Sequence, residues 1–543
     1  MEKNEWWKSA VGYQIYLKSF FDSNNDGVGD IAGITNKLDY IKNLGVDFIW
    51  ISPFFDSPMD DNGYDVRDYK RIYSEYGTME DFKNLVDRAH SMGLKVIVDM
   101  VINHTSSENN WFVKSVARAT GFDDFYYWKD PKFDENGKIL PPNNWQSFFG
   151  GSAWEYNSER EQFYLRLFSK SMPDINYNSR VAIKQIQDVM EFWMNLSVDG
   201  FRMDAISHIG KVESFKDGKV NHTYKMFSNL DNAHEFLTDI LSIVKNKNIV
   251  TMGELGGCPT IYDQLKFSDS KRNELNMVFE FSHLNRFNKK TGKPDYKAII
   301  NSLKNKEKLI SMGGWSTLFW TNHDYQRLVS MYGNNKALSK SASAFATAMY
   351  LLKGTPIIYQ GEELAMTGYP FKNENEFEDV NAKMLIKLAS TESEKKKVFE
   401  SLKNTSRDNA RTIMQWNGSV YAGFSEHKPW FLVNPNYHSL NVAVEQTEEH
   451  SALNEYRKII ALRKENSDAF CFGDCTFKRA PRGVCRYIRR SGKTEYDVIV
   501  NLTDEVKKYL LPVGEIVYTN YGEVIRGELS PFEAIVLKRQ ILI

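Results

Sequence analysis

Three short apolar runs in this chain each stop at a carboxylate: Val198-Asp199-Gly200-Phe201-Arg202-Met203-Asp204, Ile249-Val250-Thr251-Met252-Gly253-Glu254 and Leu318-Phe319-Trp320-Thr321-Asn322-His323-Asp324. Each run has the length and composition of a buried strand, and each acid falls where that strand should end. Acids at the carboxyl ends of different parallel strands converge on one face of a barrel. Two carboxyls flanking one bond, with a third nearby, suit glycoside cleavage, in which one protonates the leaving oxygen and another attacks or assists at the anomeric carbon. A single acid at a strand end is ordinarily a cap or a loop ion pair. The trio together points to sugar chemistry. Arg202 precedes Asp204 by two residues on one strand, so both side chains share a face, and a guanidinium there favours an ionised partner.

The elements that must hold these acids alternate from the start. Strands are expected at Ala10–Tyr16, Val46–Ile51, Leu94–Val101, Val198–Arg202, Ile249–Met252, Met277–Phe281, Ser316–Trp320 and Pro356–Tyr359, with amphipathic helices such as Ile34–Leu44 and Asp81–Met92 between them. That pattern predicts an α/β fold, a (β/α)8 TIM barrel. Two stretches break the rhythm. Residues 105–173 form a loop-rich inserted subdomain after the third strand, and an excursion over 368–444 follows the eighth. The barrel thus covers 1–104 and 174–465, and 466–543 reads as a C-terminal antiparallel β-sandwich domain.

At 543 residues, 69 Lys plus Arg balance 70 Asp plus Glu, for a formal charge of -1. Such a balance gives no electrostatic case for nucleic acid or an anionic membrane as a partner. No run approaches membrane-spanning length, and the first residues lack the apolar stretch of a signal peptide. Cys258, Cys471, Cys475 and Cys485 form neither a disulfide framework nor a paired zinc pattern. The expectation is a reduced, cytoplasmic protein acting on a small oligosaccharide, with no nucleic acid or membrane partner.

Asp99-Met100-Val101-Ile102-Asn103-His104, Gly200-Phe201-Arg202-Met203-Asp204, Gly253-Glu254 and Asn322-His323-Asp324 resemble, in order and spacing, the signature regions of the α-amylase superfamily (glycoside hydrolase family 13). Asn143 to Trp154, Gly361-Glu362-Glu363 and Ser406 to Trp416 look like its oligo-1,6-glucosidase and α-glucosidase branch. The resemblance implies Asp204 as nucleophile, Glu254 as acid and then base, and Asp324 as stabiliser of the oxocarbenium-like transition state. It implies sugar contacts from His104 and His323, a stacking platform in Tyr64, and a pair, Asp65 and Arg407, closing the far side of the terminal glucose. Asp99 is expected to be structural at the barrel rim.

Asp22-Ser23-Asn24-Asn25-Asp26-Gly27-Val28-Gly29-Asp30 spaces oxygen ligands alternately around a glycine turn, as calcium loops do. Gly33 stands where an EF-hand would have its glutamate. Related glucosidases carry a similar loop with one Ca²⁺, so the expected ligands are Asp22, Asn24, Asp26, the Val28 carbonyl and Asp30, with a structural role.

The chain departs from the branch pattern at Ala205, Met172, Leu255-Gly256-Gly257 and Tyr325-Gln326. All are expected near the leaving-group side, so linkage preference stays open. The reading is a retaining, exo-acting α-glucosidase cleaving α-1,4 or α-1,6 links or sucrose. Trehalose-6-phosphate hydrolase and sucrose isomerase are the enzymatic alternatives, and an amylase-like binding subunit is the non-enzymatic one.

Overall fold

The computed structural model describes residues 5–541. Eight strands form one parallel sheet: β1 (Gly12–Ile15), β2 (Phe48–Ile51), β3 (Lys95–Val101), β4 (Gly200–Asp204), β5 (Val250–Glu254), β6 (Met277–Phe279), β7 (Thr317–Leu318) and β8 (Thr355–Tyr359). Their order is β6-β5-β4-β3-β2-β1-β8-β7. A parallel bridge between Val278 and Ser316 joins the two ends and closes the barrel. Nearly every strand residue is buried. Side chains on one face fill the barrel and those on the other meet helices, which is why these strands read as unbroken apolar runs.

A helix follows each strand: α1 (Ile31–Leu44), α2 (Met79–Ser91), α3 (Arg180–Asn195), α4 (Asp231–Ile240), α5 (Ile261–Ser268), α6 (Tyr296–Ser311), α7 (Leu338–Tyr350) and α8 (Ala452–Glu465). Helix α1 starts one turn before the predicted Ile34, because the Asp30 carboxylate accepts from the Gly33 N–H and caps it. Helix α2 opens on a reciprocal cap between Thr78 and Asp81 and buries Phe82, Leu85, Val86 and Ala89. Gly93, just beyond it, takes φ +69°, the left-handed conformation that ends helices.

The chain leaves the barrel after His104 and returns at Asp174, and these two residues pair in an antiparallel bridge. The intervening segment holds a short helix, Asn110–Val116, and a three-stranded sheet of Trp128–Lys129, Gln162–Leu165 and Trp154–Asn157. It has its own apolar cluster around Trp145, Trp154 and Leu165. The excursion after β8 carries helices Val380–Leu388, Glu392–Thr405 and Asp408–Arg411.

Beyond α8 lies an antiparallel sheet of β9 (Asp474–Phe477), β10 (Val484–Ser491), β11 (Thr494–Asn501), β12 (Glu515–Thr519) and β13 (Ala534–Gln540), ordered β9-β10-β11-β13-β12. Its alternation sends Tyr487, Val498 and Val536 into the main core, while Ile499, Ile535 and Leu537 pack with Leu529. Leu529 belongs to a two-stranded ribbon, Glu528–Leu529 with Lys507–Lys508. The second layer of the expected sandwich is thus this small ribbon.

Candidate active site

Asp204 ends β4 and Glu254 ends β5, and the two strands are paired with Arg202 opposite Met252. One guanidinium, that of Arg202, bonds both of their carboxyls. Arg202, buried inside the barrel mouth, spans the group. Its Nη1 donates to Asp99 at 3.0 Å and to Asp204 at 2.5 Å, and its Nη2 donates to Glu254. Asp99 in turn accepts from the Trp50 indole and the Tyr64 hydroxyl, each at 3.2 Å. Asp99 therefore anchors Arg202, and Arg202 anchors the two acids facing the pocket.

One guanidinium serves three carboxylates, so full ionisation would leave two uncompensated negative charges out of water. Burial above all, with Asp204 and Asp324 adding to it and Arg202 opposing, lifts Glu254 to about 8. Glu254 is thus the member of the group that keeps a proton at neutral pH. Burial also pushes Asp204 and Asp99 upward, against the pull of Arg202. Ala205, just after Asp204, sits in the left-handed region at φ 46° and ψ 31°, which costs a non-glycine residue about 1 kcal/mol. That turn brings the Ala205 N–H to 3.4 Å from the Glu254 carboxylate.

Asp324 has a different environment. Arg411 Nη2 reaches its Oδ1 at 3.0 Å, Arg407 Nη1 lies at 3.6 Å, and His323 Nε2 approaches Oδ2 at 3.1 Å. Burial opposes its ionisation, but His323, Arg407 and Arg411 hold it below the usual carboxylate range. Burial lowers His323 itself to about 3, so at neutral pH the two guanidiniums keep Asp324 charged. With the Gln14 amide N–H donating to Nδ1 at 2.7 Å, the ring proton sits on Nε2, which faces Tyr64 Oη at 2.7 Å. Tyr64 stacks on the imidazole with centroids 5.4 Å apart. His104 is buried and driven down to about 4 by desolvation, and its Nε2 has no partner among the described residues. A neutral ring nitrogen left open in this way can serve a sugar hydroxyl.

The expected pair of Asp65 and Arg407 does not form. The fully buried Asp65 carboxylate accepts from Ser57 Oγ at 3.0 Å and from the Asp60 and Asp61 N–H groups at 2.8 and 3.1 Å. It thereby shapes the loop after β2, and Asp61 in that loop meets Arg407 Nη2 at 2.8 Å. Asp379, from the excursion after β8, bonds the same Nη2 at 2.6 Å. Asp61, Asp379, Arg411 and Gln14 are site residues missed in the sequence. Arg411 was within reach: it follows Arg407 by four positions, the spacing that puts two side chains on one helical face.

In the 22–30 loop, Asp22 Oδ1 accepts from the Asn24 and Asn25 N–H groups, and Oδ2 from Gly27 N–H at 2.7 Å. Asn24 Oδ1 accepts from Asp26 N–H, and Asp26 Oδ1 from Val28 N–H. Asp30 bonds Ser23 as well as capping α1. Asp22 and Asp30 are both buried, and burial raises Asp30, helped by the charge of Asp22. Among the described residues no Lys or Arg pairs with Asp22, Asp26 or Asp30, and no three His, Cys, Asp or Glu side chains gather tightly as a metal cluster. The donors are hard oxygens on a preformed turn, and two buried acids lack a cation, which fits calcium chemistry.

The model of the alpha-amylase catalytic domain matches residues 14–472. An oligo-1,6-glucosidase of Bacillus cereus is 39% identical over 99% of this chain and 100% of its own length. The solved trehalose-6-phosphate hydrolase of Bacillus licheniformis superposes with a TM-score of 0.91 at 38% identity, covering 98% of this chain and 100% of that one. An isomaltulose synthase from Klebsiella sp. LX3 does so at 0.92 and 36%, covering 99% and 100%. With a barrel of eight βα units, acids at the ends of β4 and β5 and a third after β7, the chain belongs to the alpha-amylase family of glycoside hydrolases.

Proposed function

We propose that this protein is a retaining α-glucosidase that removes single glucose units from the non-reducing end of short α-glucosides. The observation carrying the reading is that the one guanidinium of Arg202 bonds both the Asp204 and the Glu254 carboxyls at the ends of neighbouring strands, with Glu254 the one that keeps a proton. An inverting enzyme separates its carboxyls to admit a water, whereas a retaining one holds them ~5 Å apart. Asp204 attacks the anomeric carbon as Glu254 passes its proton to the departing glycosidic oxygen. Glu254 then takes a proton from water, whose oxygen displaces Asp204 from the same carbon. Asp324, ionised throughout, stabilises the cationic transition state.

Exo action rests on Asp61, Arg407 and Asp379. Their ion pairs bridge the loop after β2 to the segment after β8 across Asp324, so a polysaccharide chain has no exit there. His104, Tyr64 and His323 bind the terminal glucose, and a calcium ion at Asp22, Asn24, Asp26, the Val28 carbonyl and Asp30 stiffens the loop after β1. No described helix is long and apolar enough to cross a membrane. The four free cysteines support a cytoplasmic location.

The test is glucose release from maltose, isomaltose, sucrose, trehalose and trehalose 6-phosphate, with Asp204→Ala as control. Turnover of maltose or isomaltose that Asp204→Ala abolishes is the expected result. Turnover confined to trehalose 6-phosphate, or conversion of sucrose to an isomer, would replace the substrate while keeping the mechanism.

A further inference from the structure

Tyr325 stands directly after the third acid, and its ring stacks on Phe281 with centroids 5.7 Å apart and planes 29° from parallel. Phe281 follows β6 and packs edge-on against Phe319, 5.7 Å away, so the stack is fixed to the barrel wall. The Tyr325 hydroxyl bonds to no described protein group and is not among the buried, unpartnered polar atoms, so it is open to solvent. Burial above all, with the charges of Asp324 and Glu254 adding to it, holds this phenol protonated. Phe279, two residues before Phe281, pairs with Glu254 across β5 and β6, which puts the stack on the Glu254 side of the barrel mouth.

That placement selects a side of the pocket. Arg407, Asp61 and Asp379 close the end where the terminal glucose sits, whereas Glu254 delivers its proton to the bond being cleaved. A group on the β5–β6 side of the mouth, rather than on the segments after β2 and β8 that Arg407 joins, stands next to the departing sugar. His208 lies over Gly256, two residues beyond Glu254, where a Cβ would come within 2.8 Å of its Nε2, and its ring packs on Phe148 at 4.8 Å. Resting on the glucosidase reading, we propose that Tyr325 is a specificity-determining residue of the leaving-group side: its hydroxyl hydrogen-bonds the departing sugar, while its ring and Phe281 form the apolar wall that sugar packs against.

The test compares isomaltose with α-glucosyl fluoride in the wild type, Tyr325→Phe and Tyr325→Gln. The fluoride offers the same terminal glucose but no departing sugar. Tyr325→Phe keeps the stack and removes one donor, so its kcat/KM should fall about tenfold further on isomaltose than on the fluoride. Tyr325→Gln, which also removes the wall, should widen that gap, and the pH profile on the fluoride should stay in place. Equal losses on both substrates, or a displaced profile, would mean that Tyr325 acts only through Glu254 and Asp324 and would overturn the inference alone. Wild type that cleaves neither compound would overturn the glucosidase reading and this inference with it.

Discussion

Arg202 is the residue on which the chemistry turns. Three carboxylates share its guanidinium, so the group is tolerable out of water only with a proton on one of them, and burial assigns that proton to Glu254. A carboxyl at its ordinary value of 4.5 would be mostly ionised by pH 6, leaving little general acid. Raised to about 8, it stays protonated below that pH and is lost above it. For isomaltose, kcat/KM should hold through neutrality and fall as pH rises through about 8. With α-glucosyl fluoride, whose leaving group needs no proton, that alkaline fall should weaken. A profile already falling between pH 5 and 6 on isomaltose would refute this assignment. The same scale explains the error at Asp65. The run Asp60-Asp61-Asn62-Gly63-Tyr64-Asp65 offers three acids within six positions, and sequence does not tell a carboxylate that folds the turn from one the turn presents.

Among the elements, the eight strands were legible because both faces of each are covered, which leaves apolar runs ending in polar residues. The excursion after β8 was legible only as an interruption, although it supplies Asp379, Arg407 and Arg411 to the site. Partners brought together by long loops leave no periodic signal. The 22–30 loop is the opposite case, since its spacing announces its turns. Gly27, at φ +91°, lets Lys428 O approach to 2.4 Å of where a Cβ would be, and its own carbonyl accepts from Trp430 N–H at 2.8 Å. The loop thus braces the segment after Arg411. If calcium binds there, millimolar Ca²⁺ should raise Tm by a few degrees over chelator-treated protein, and Asp22→Asn should lose that increment while retaining a Glu254-dependent pH profile. Identical melting with calcium and with chelator would refute the metal.

On the scale of the whole molecule, the barrel seam where β1 meets β8 is fastened by two buried acids. Glu363 accepts from Tyr13 of β1 and Tyr40 of α1 at 2.7 and 2.6 Å. Glu362 accepts from Tyr350 of α7, from Tyr456 of α8 at 2.9 Å and from Thr321 at 3.2 Å. These two glutamates, visible in the sequence as part of a family-like motif, therefore tie the strands to three outer helices. Burial raises Glu362 from 4.5 to about 7, with its hydroxyl donors opposing. Below pH 4.5 the folded and unfolded chains both hold this proton. Between 4.5 and about 7 only the folded chain does, so its stabilising effect drains away as pH climbs, by up to about 3 kcal/mol. Glutamine carries no such proton: its oxygen can accept from the two tyrosines and its N–H can donate to Thr321 Oγ1. Glu362→Gln should accordingly gain on the wild type as pH rises, with the Tm difference widening by a few degrees between pH 5 and pH 8. A difference that stays constant over that range would mean that Glu362 is already ionised in the native protein, held so by its three hydroxyl donors.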